Sequence, residues 1–361
     1  MQQLKGEIVY LYAFDIADEI RTTSINKILT KKAMPFVVEA DRTFPKDIPF
    51  YHPLSIEIKR EGWKTQGYPL KPQVRVYEVG VVSLMISIPF EVASLMDLVK
   101  FHQLNLDNGI PLDKAAHTLC LDVVENLGPY LVRGSKDIGM PEAYTVFTFQ
   151  KVPGQEVEPW IQKEKANIAG LLSEVDASQL SSQQIEEVFR RNITFGKQDA
   201  VIIDWDAAVV VDLAGVPQSI LHVLELANLQ LEELVLMDQR LDRYLDQAYD
   251  ALERKRSALL GLPRRELSKL RRLMMDVAKI TDEVANITKF FGDWYLARIY
   301  LSARDRFHIP TWRESIQNRL SQLNELYEIF RSEVNEARML LLEFLIVLLF
   351  IVDLFAVFFK K

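Results

Sequence analysis

Asp204 and Asp206 flank Trp205, and Asp212 follows. Paired carboxylates can hold a divalent cation or exchange protons as general acid and base. Aspartate is also a favoured turn residue, and no third acid or histidine stands at a ligating spacing. A metal-dependent enzyme using Asp204 and Asp206 is thus an alternative, and a hairpin turn is the plainer reading. Gly292-Asp293-Trp294 reads likewise as a helix break followed by a cap, with Asp293 accepting from the next turn's N–H groups. Cys120 lies in an apolar helical pattern over 115–121, which points to a buried, inert thiol. One cysteine excludes a disulfide framework and any cysteine-based zinc site. His52, His102, His117, His222 and His308 form no close ligand pair, and zinc sites need such spacing. No glycine-rich phosphate loop, nucleophile elbow or Ser/His/Asp spacing occurs. The expectation is a protein without enzymatic activity, cofactor or metal.

A second group concentrates charge. Arg254, Lys255, Arg256, Arg264, Arg265, Lys269, Arg271 and Arg272 cluster with only Glu253 and Glu266 as acids, in a chain of net charge −7. That overall charge argues against a general nucleic-acid binder, and few aromatic residues interleave with the cluster to stack bases. The cluster reads either as a solvated hairpin tip or as a contact with an anionic membrane surface. Helices over 264–291 and 311–338 would each span roughly 42 Å. Antiparallel packing would then bring the basic tip level with Met339.

The elements that must carry these residues follow from periodicity. Residues 8–14 alternate aromatic and β-branched side chains, a strand pattern, and Asp15 could cap a helix through about 29. Residues 31–72 are proline-rich and read as loop, with a strand at 54–59. Residues 73–87 form a hairpin turning at Val79-Gly80, and Pro89 opens a helix to about 99. The order then recurs: a strand at 144–149, a helix at 160–172, and a hairpin at 200–212 turning at Trp205-Asp206. A shift of 126 positions lays Val79-Gly80 on Trp205-Asp206, which suggests a duplicated β-α-β-β-α unit. A connector with one helix, 112–127, joins the copies.

From Pro217 the pattern turns to long helices. Ile220, Leu224, Ala227, Leu231, Leu234, Leu241, Leu245, Ala248 and Leu252 keep a heptad seam interrupted by Asp238, as in coiled-coil packing. Glu232, Glu233, Arg240, Asp242, Arg243 and Asp246 fill the polar face. Gly261-Leu262-Pro263 turns the chain into a helix over 264–291, and a shorter helix covers 294–306. After Pro310 a last seam runs from Ile316 through Leu323, Phe330 and Leu341 to Phe358. Between Met339 and Phe359 only Glu343 and Asp353 are charged. About twenty apolar residues suffice to cross a bilayer, so residues 339–359 are expected to be one transmembrane helix. The basic tip would keep the bulk of the chain in the cytoplasm or a matrix-like compartment, with the C-terminus across the membrane. The start, Met1-Gln2-Gln3-Leu4-Lys5, reads as neither a signal nor a transit peptide.

Two segments carry a resemblance. The hairpin Val76-Tyr77-Glu78-Val79-Gly80-Val81-Val82 resembles that of the "required for meiotic nuclear division" family. The tail is similar too, in Arg319-Leu320-Ser321-Gln322-Leu323-Asn324 and Leu342-Glu343-Phe344. Ser83-Leu84 stands where that family carries an aromatic pair. The resemblance implies an α/β domain, helices and a C-terminal membrane segment, without an established enzymatic activity.

The expected fold class is α+β: a tandem N-terminal module, then a long antiparallel helical stalk and one C-terminal transmembrane helix. Its parts are units over 1–105 and 143–215, the connector 106–142, the stalk 216–338 and the span 339–359. The expected function is a non-enzymatic, membrane-anchored scaffold or adaptor. Its partners would be the lipid bilayer, a protein or ribonucleoprotein, and a second copy along the C-terminal seam. An ion-transporter subunit organised like the CorA class is the other alternative.

Overall fold

The alternating residues 8–14 form the middle of β1 (Leu4–Asp15), which is buried along nearly its whole length. The structure is a computed structural model. It describes residues 3–21, 33–35, 53–57, 63–65, 67–135, 138–213, 218–255, 271 and 293–359. A strand buried on both faces needs a layer on each. Ile8, Tyr10, Tyr12 and Phe14 enter one core, while Ala13 joins Tyr77, Val81, Leu226 and Leu229 in another.

β1 is central to a nine-stranded sheet. Its other members are β3 (Ala33–Pro35), β4 (Leu54–Glu57), β7 (Lys71–Val76), β8 (Val81–Val92), β10 (Glu142–Lys151), β11 (Asn192–Ile193), β12 (Asp199–Ile203) and β13 (Ala207–Asp212). The spatial order is β11-β12-β13-β10-β1-β8-β7-β4-β3. Two short ladders complete the strands, β2 (Glu19–Ile20) with β9 (Leu131–Val132) and β5 (Lys64–Thr65) with β6 (Tyr68–Pro69). Among the described strands of the large sheet only β10 and β13 pair in parallel. Parallel neighbours need a crossover, and α2 (Val157–Leu172) and α3 (Ser182–Phe189) lie in the one between them. α1 (Leu112–Leu127) and α2 cover the first core through Ala116, Leu119, Cys120, Trp160 and Ile161. The opposite face receives the start of α4 (Gln218–Lys255).

The hairpin at Val79-Gly80 shows why glycine stands there. Gly80 has φ 93°, and an added Cβ would lie 1.8 Å from the Ala17 carbonyl oxygen. Its own carbonyl accepts the Ile16 N–H at 2.9 Å and the Ala17 N–H at 3.2 Å. Those bonds, with the pairing of Glu19 and Ile20 to Val132 and Leu131, replace the helix expected directly after Asp15. Residues 22–32 lie outside the described set. Pro89 does not open a helix either: β8 continues to Val92, and Pro89 stands opposite Glu7 of β1. The ladder to β7 ends at Ser87, so β8 has one neighbour there and tolerates the missing N–H. Ser94 instead caps a 3-10 turn, Leu95–Phe101. The two expected hairpins exist, yet β8 runs antiparallel to β1 while β13 runs parallel to β10. They meet the central strands in opposite senses and share one sheet.

The chain divides into two compact units. Met1–Glu233 with Asn286–Pro310 is the α/β unit, and Leu234–Ala285 with Thr311–Lys361 is the second. The α/β unit includes α5 (Trp294–Arg306), capped by Asp293. The first part of α4 is more polar than its seam suggested. His222, Glu225, Asn228, Gln230 and Glu232 are all buried there. Glu225 pairs with Arg75 of β7. Gln230 accepts from the Tyr300 hydroxyl of α5, and Asn228 Nδ2 donates to the Glu142 carbonyl at 3.1 Å. Burial opposes the charge on Glu225, but Arg75 outweighs it and holds the carboxyl down to about 2.

In the second unit, α6 (Ile309–Phe359) buries Ile316, Leu323, Leu326 and Phe330. Asp238, which interrupts the α4 seam, accepts from Ser315 Oγ at 2.9 Å and Arg319 Nε at 2.7 Å. Beyond this, residues 339–355 expose apolar side chains on every side. The expected transmembrane helix is overturned: among the described residues no helix is long and apolar enough to cross a membrane. The apolar run lies in the last part of α6, which stays helical to Phe359. Exposed Glu343 and Asp353 interrupt it. The single-pass membrane localisation is overturned with the span. Of the basic cluster, Arg254 and Lys255 end α4 and Arg271 is exposed. Arg256, Arg264, Arg265, Lys269 and Arg272 lie outside the described residues, as do the Gly261-Leu262-Pro263 turn and all of the helix expected over 264–291 except Arg271.

Candidate functional site

The Asp204-Trp205-Asp206 turn stands where the α/β unit opens into a cleft of about 750 Å³. Valine and isoleucine on both sides force β12 and β13 into the sheet, and the turn projects beyond it. The Asp204 N–H donates to the Ala207 carbonyl at 2.9 Å. Tyr144, at the start of β10, anchors the turn by donating its hydroxyl to the Asp204 carbonyl at 3.0 Å.

The two aspartates have different surroundings. Asp204 is 5% exposed, and its Oδ1 accepts from Trp205 N–H at 2.9 Å and from Arg306 Nε at 2.9 Å. Arg306, at the end of α5, also reaches Glu187 of α3 at 3.2 Å. Asp206 is exposed, and among the described residues its carboxylate has no hydrogen bond or ion pair. The pair therefore does not converge on one point. Among the described residues no group of three or more His, Cys, Asp or Glu could hold a metal ion.

The cleft wall is made by helix ends. Ser173 and Glu174 follow α2, and Glu174 takes the left-handed conformation at φ 58°. His308 does the same after α5 at φ 53°. Left-handed residues commonly end helices, but a non-glycine residue there is strained. Arg133 is the only other such residue among those described, so two of the three line this cleft. Glu174 faces His102 Nδ1 at 3.2 Å, and the other ring nitrogen lies 2.8 Å from the Leu171 carbonyl. Burial lowers the His102 pKa from its ordinary value, against the pull of Glu174.

Trp205 is a large aromatic side chain left open in the cleft, 55% exposed. The His308 ring lies against it at 4.4 Å between centroids. On the rim, Arg191 pairs with Asp305 at 3.2 Å and Arg190 with Glu187 at 3.3 Å. The cleft thus combines an exposed indole with mutually paired charges of both signs.

The sequence pointed to the turn but missed Glu174, Glu187, Arg190, Arg191, Asp305, Arg306 and His308. A faint signal lay in Arg304-Asp305-Arg306, whose charges crowd the end of a short amphipathic helix. Cys120 is buried and its thiol is pushed up to about 12 by burial, as an inert thiol should be. Glu343 and Asp353 sit on α6, outside the α/β unit.

Residues 5–218 match the family described as "Uncharacterized protein MJ0711, N-terminal domain". The uncharacterized protein MJ0711 of Methanocaldococcus jannaschii is 23% identical over 214 residues, which is 59% of this chain. The match covers 65% of that relative's length. The matched segment holds the large sheet apart from Leu4, and the Asp204-Trp205-Asp206 turn, while α5 lies beyond it. The chain belongs to the MJ0711 N-terminal domain family.

Proposed function

We propose that this chain is a non-enzymatic adaptor whose α/β unit docks a protein partner at the cleft around Trp205. The observation that carries the reading is the exposed indole set among paired arginines and carboxylates. Tryptophan and arginine dominate the energetic centres of protein interfaces, and a polar rim suits non-obligate binding. Asp204 serves its arginine, an arrangement that builds a wall rather than a reacting pair.

A photo-cross-linking amino acid at position 205, in the full-length chain inside its own cells, tests the reading. The expected result is one discrete adduct, absent when the cross-linker replaces exposed Leu121 on α1 instead. Equal cross-linking from both positions, or none from 205, would refute the adaptor.

A further inference from the structure

The guanidiniums of the cleft are already engaged. Arg306 holds Asp204 and Glu187, Arg191 holds Asp305, and Arg190 holds Glu187. An anionic ligand would have to break one of these pairs. The lining carries five carboxylates, Glu174, Glu187, Asp204, Asp206 and Asp305, against those three cations. Asp206 is the one left without an ion pair among the described residues, and it follows Trp205 in the turn and lines the same cleft. Its field reaches Glu142, whose pKa is raised by burial and then by Asp206. His102 leaves the charge on Glu174 uncancelled whenever its buried imidazole is neutral.

We infer that the cleft selects a cationic side chain, arginine or lysine, presented by the partner, with its charge over the Trp205 ring and beside the Asp206 carboxylate. This rests on the adaptor reading and adds the chemistry of what is docked. A cation over an indole gains from the ring quadrupole, and an adjacent carboxylate supplies the counter-charge. Neither group needs to move an existing ion pair to bind it.

The test uses the full-length chain labelled with 5-fluorotryptophan, the Trp205 fluorine resonance being identified by its loss in Trp205→Phe. Three short capped peptides are titrated, with a central arginine, its neutral isostere citrulline, or glutamate. The arginine peptide should shift the Trp205 resonance and bind about fivefold tighter than the citrulline peptide. Asp206→Asn should weaken it about threefold, and Glu174→Gln should weaken it less. Equal binding of arginine and citrulline peptides, preference for glutamate, or no shift with any peptide would overturn the inference. A discrete cross-link from position 205 combined with equal peptide binding removes this inference and leaves the adaptor standing. No cross-link removes both.

Discussion

At the scale of single residues, the buried charges of the α/β unit are held by specific partners. Removing one member of such a pair leaves the other stranded in low dielectric, at about 3–5 kcal/mol. Arg306→Ala should therefore destabilise by about that amount, read from urea unfolding, because Asp204 stays buried without its guanidinium. Asp204→Asn combined with Arg306→Met should recover most of the loss. Glu232 makes a pH prediction. It is 6% exposed on α4, and burial, then Glu142 and Asp15, push its carboxyl up from 4.5 to about 8. Between those values the folded chain keeps a proton that the unfolded chain has released, so stability falls as pH rises through the window. The loss reaches up to about 3 kcal/mol by pH 7. Glu232→Gln should give no gain in Tm near pH 4 and a growing gain from pH 5 to 8. A gain independent of pH would refute this origin. The sequence placed Glu232 on the polar face of a heptad helix, because its period cannot say which polar positions a sheet will cover.

At the scale of elements, the seam of α4 and α6 is registered by a polar residue. Asp238 accepts from Ser315 and Arg319 of α6, and Arg319 also reaches Asp242. A lone polar residue in a heptad seam fixes register at some cost in stability. Asp238→Ala should cost about 1–3 kcal/mol, seen as a lower Tm of the full chain. An unchanged Tm would show that the apolar seam alone sets the register. Both hairpins, α1, α2 and α5 were legible because alternation, heptads and caps are local signals. The helices expected after Asp15 and Pro89 were not. There the decisive interactions are long-range: Gly80 takes the N–H groups after β1, and β1 holds β8 through Pro89.

At the scale of the whole molecule, the sequence divided a β-rich part from a helical stalk at 216, whereas the α/β unit runs to Glu233 and takes in Asn286–Pro310. It did not reveal that both hairpins enter one sheet, since strand order is set by pairings far apart in sequence. It also read the C-terminal run as a membrane span, whereas among the described residues no helix is long and apolar enough to cross a membrane. Residues 339–355 remain apolar and exposed, and a partner along the seam alone would cover one stripe of them. The cleft was visible only as a turn, because its arginines arrive from the residues that follow α3 and from the end of α5. The proposed docking role rests on Trp205. The most direct measurement is the affinity of the full-length chain for the protein cross-linked at position 205, compared with Trp205→Ala by calorimetry. Loss of a buried aromatic anchor should weaken binding by about thirtyfold or more. An affinity unchanged by the substitution would contradict the account.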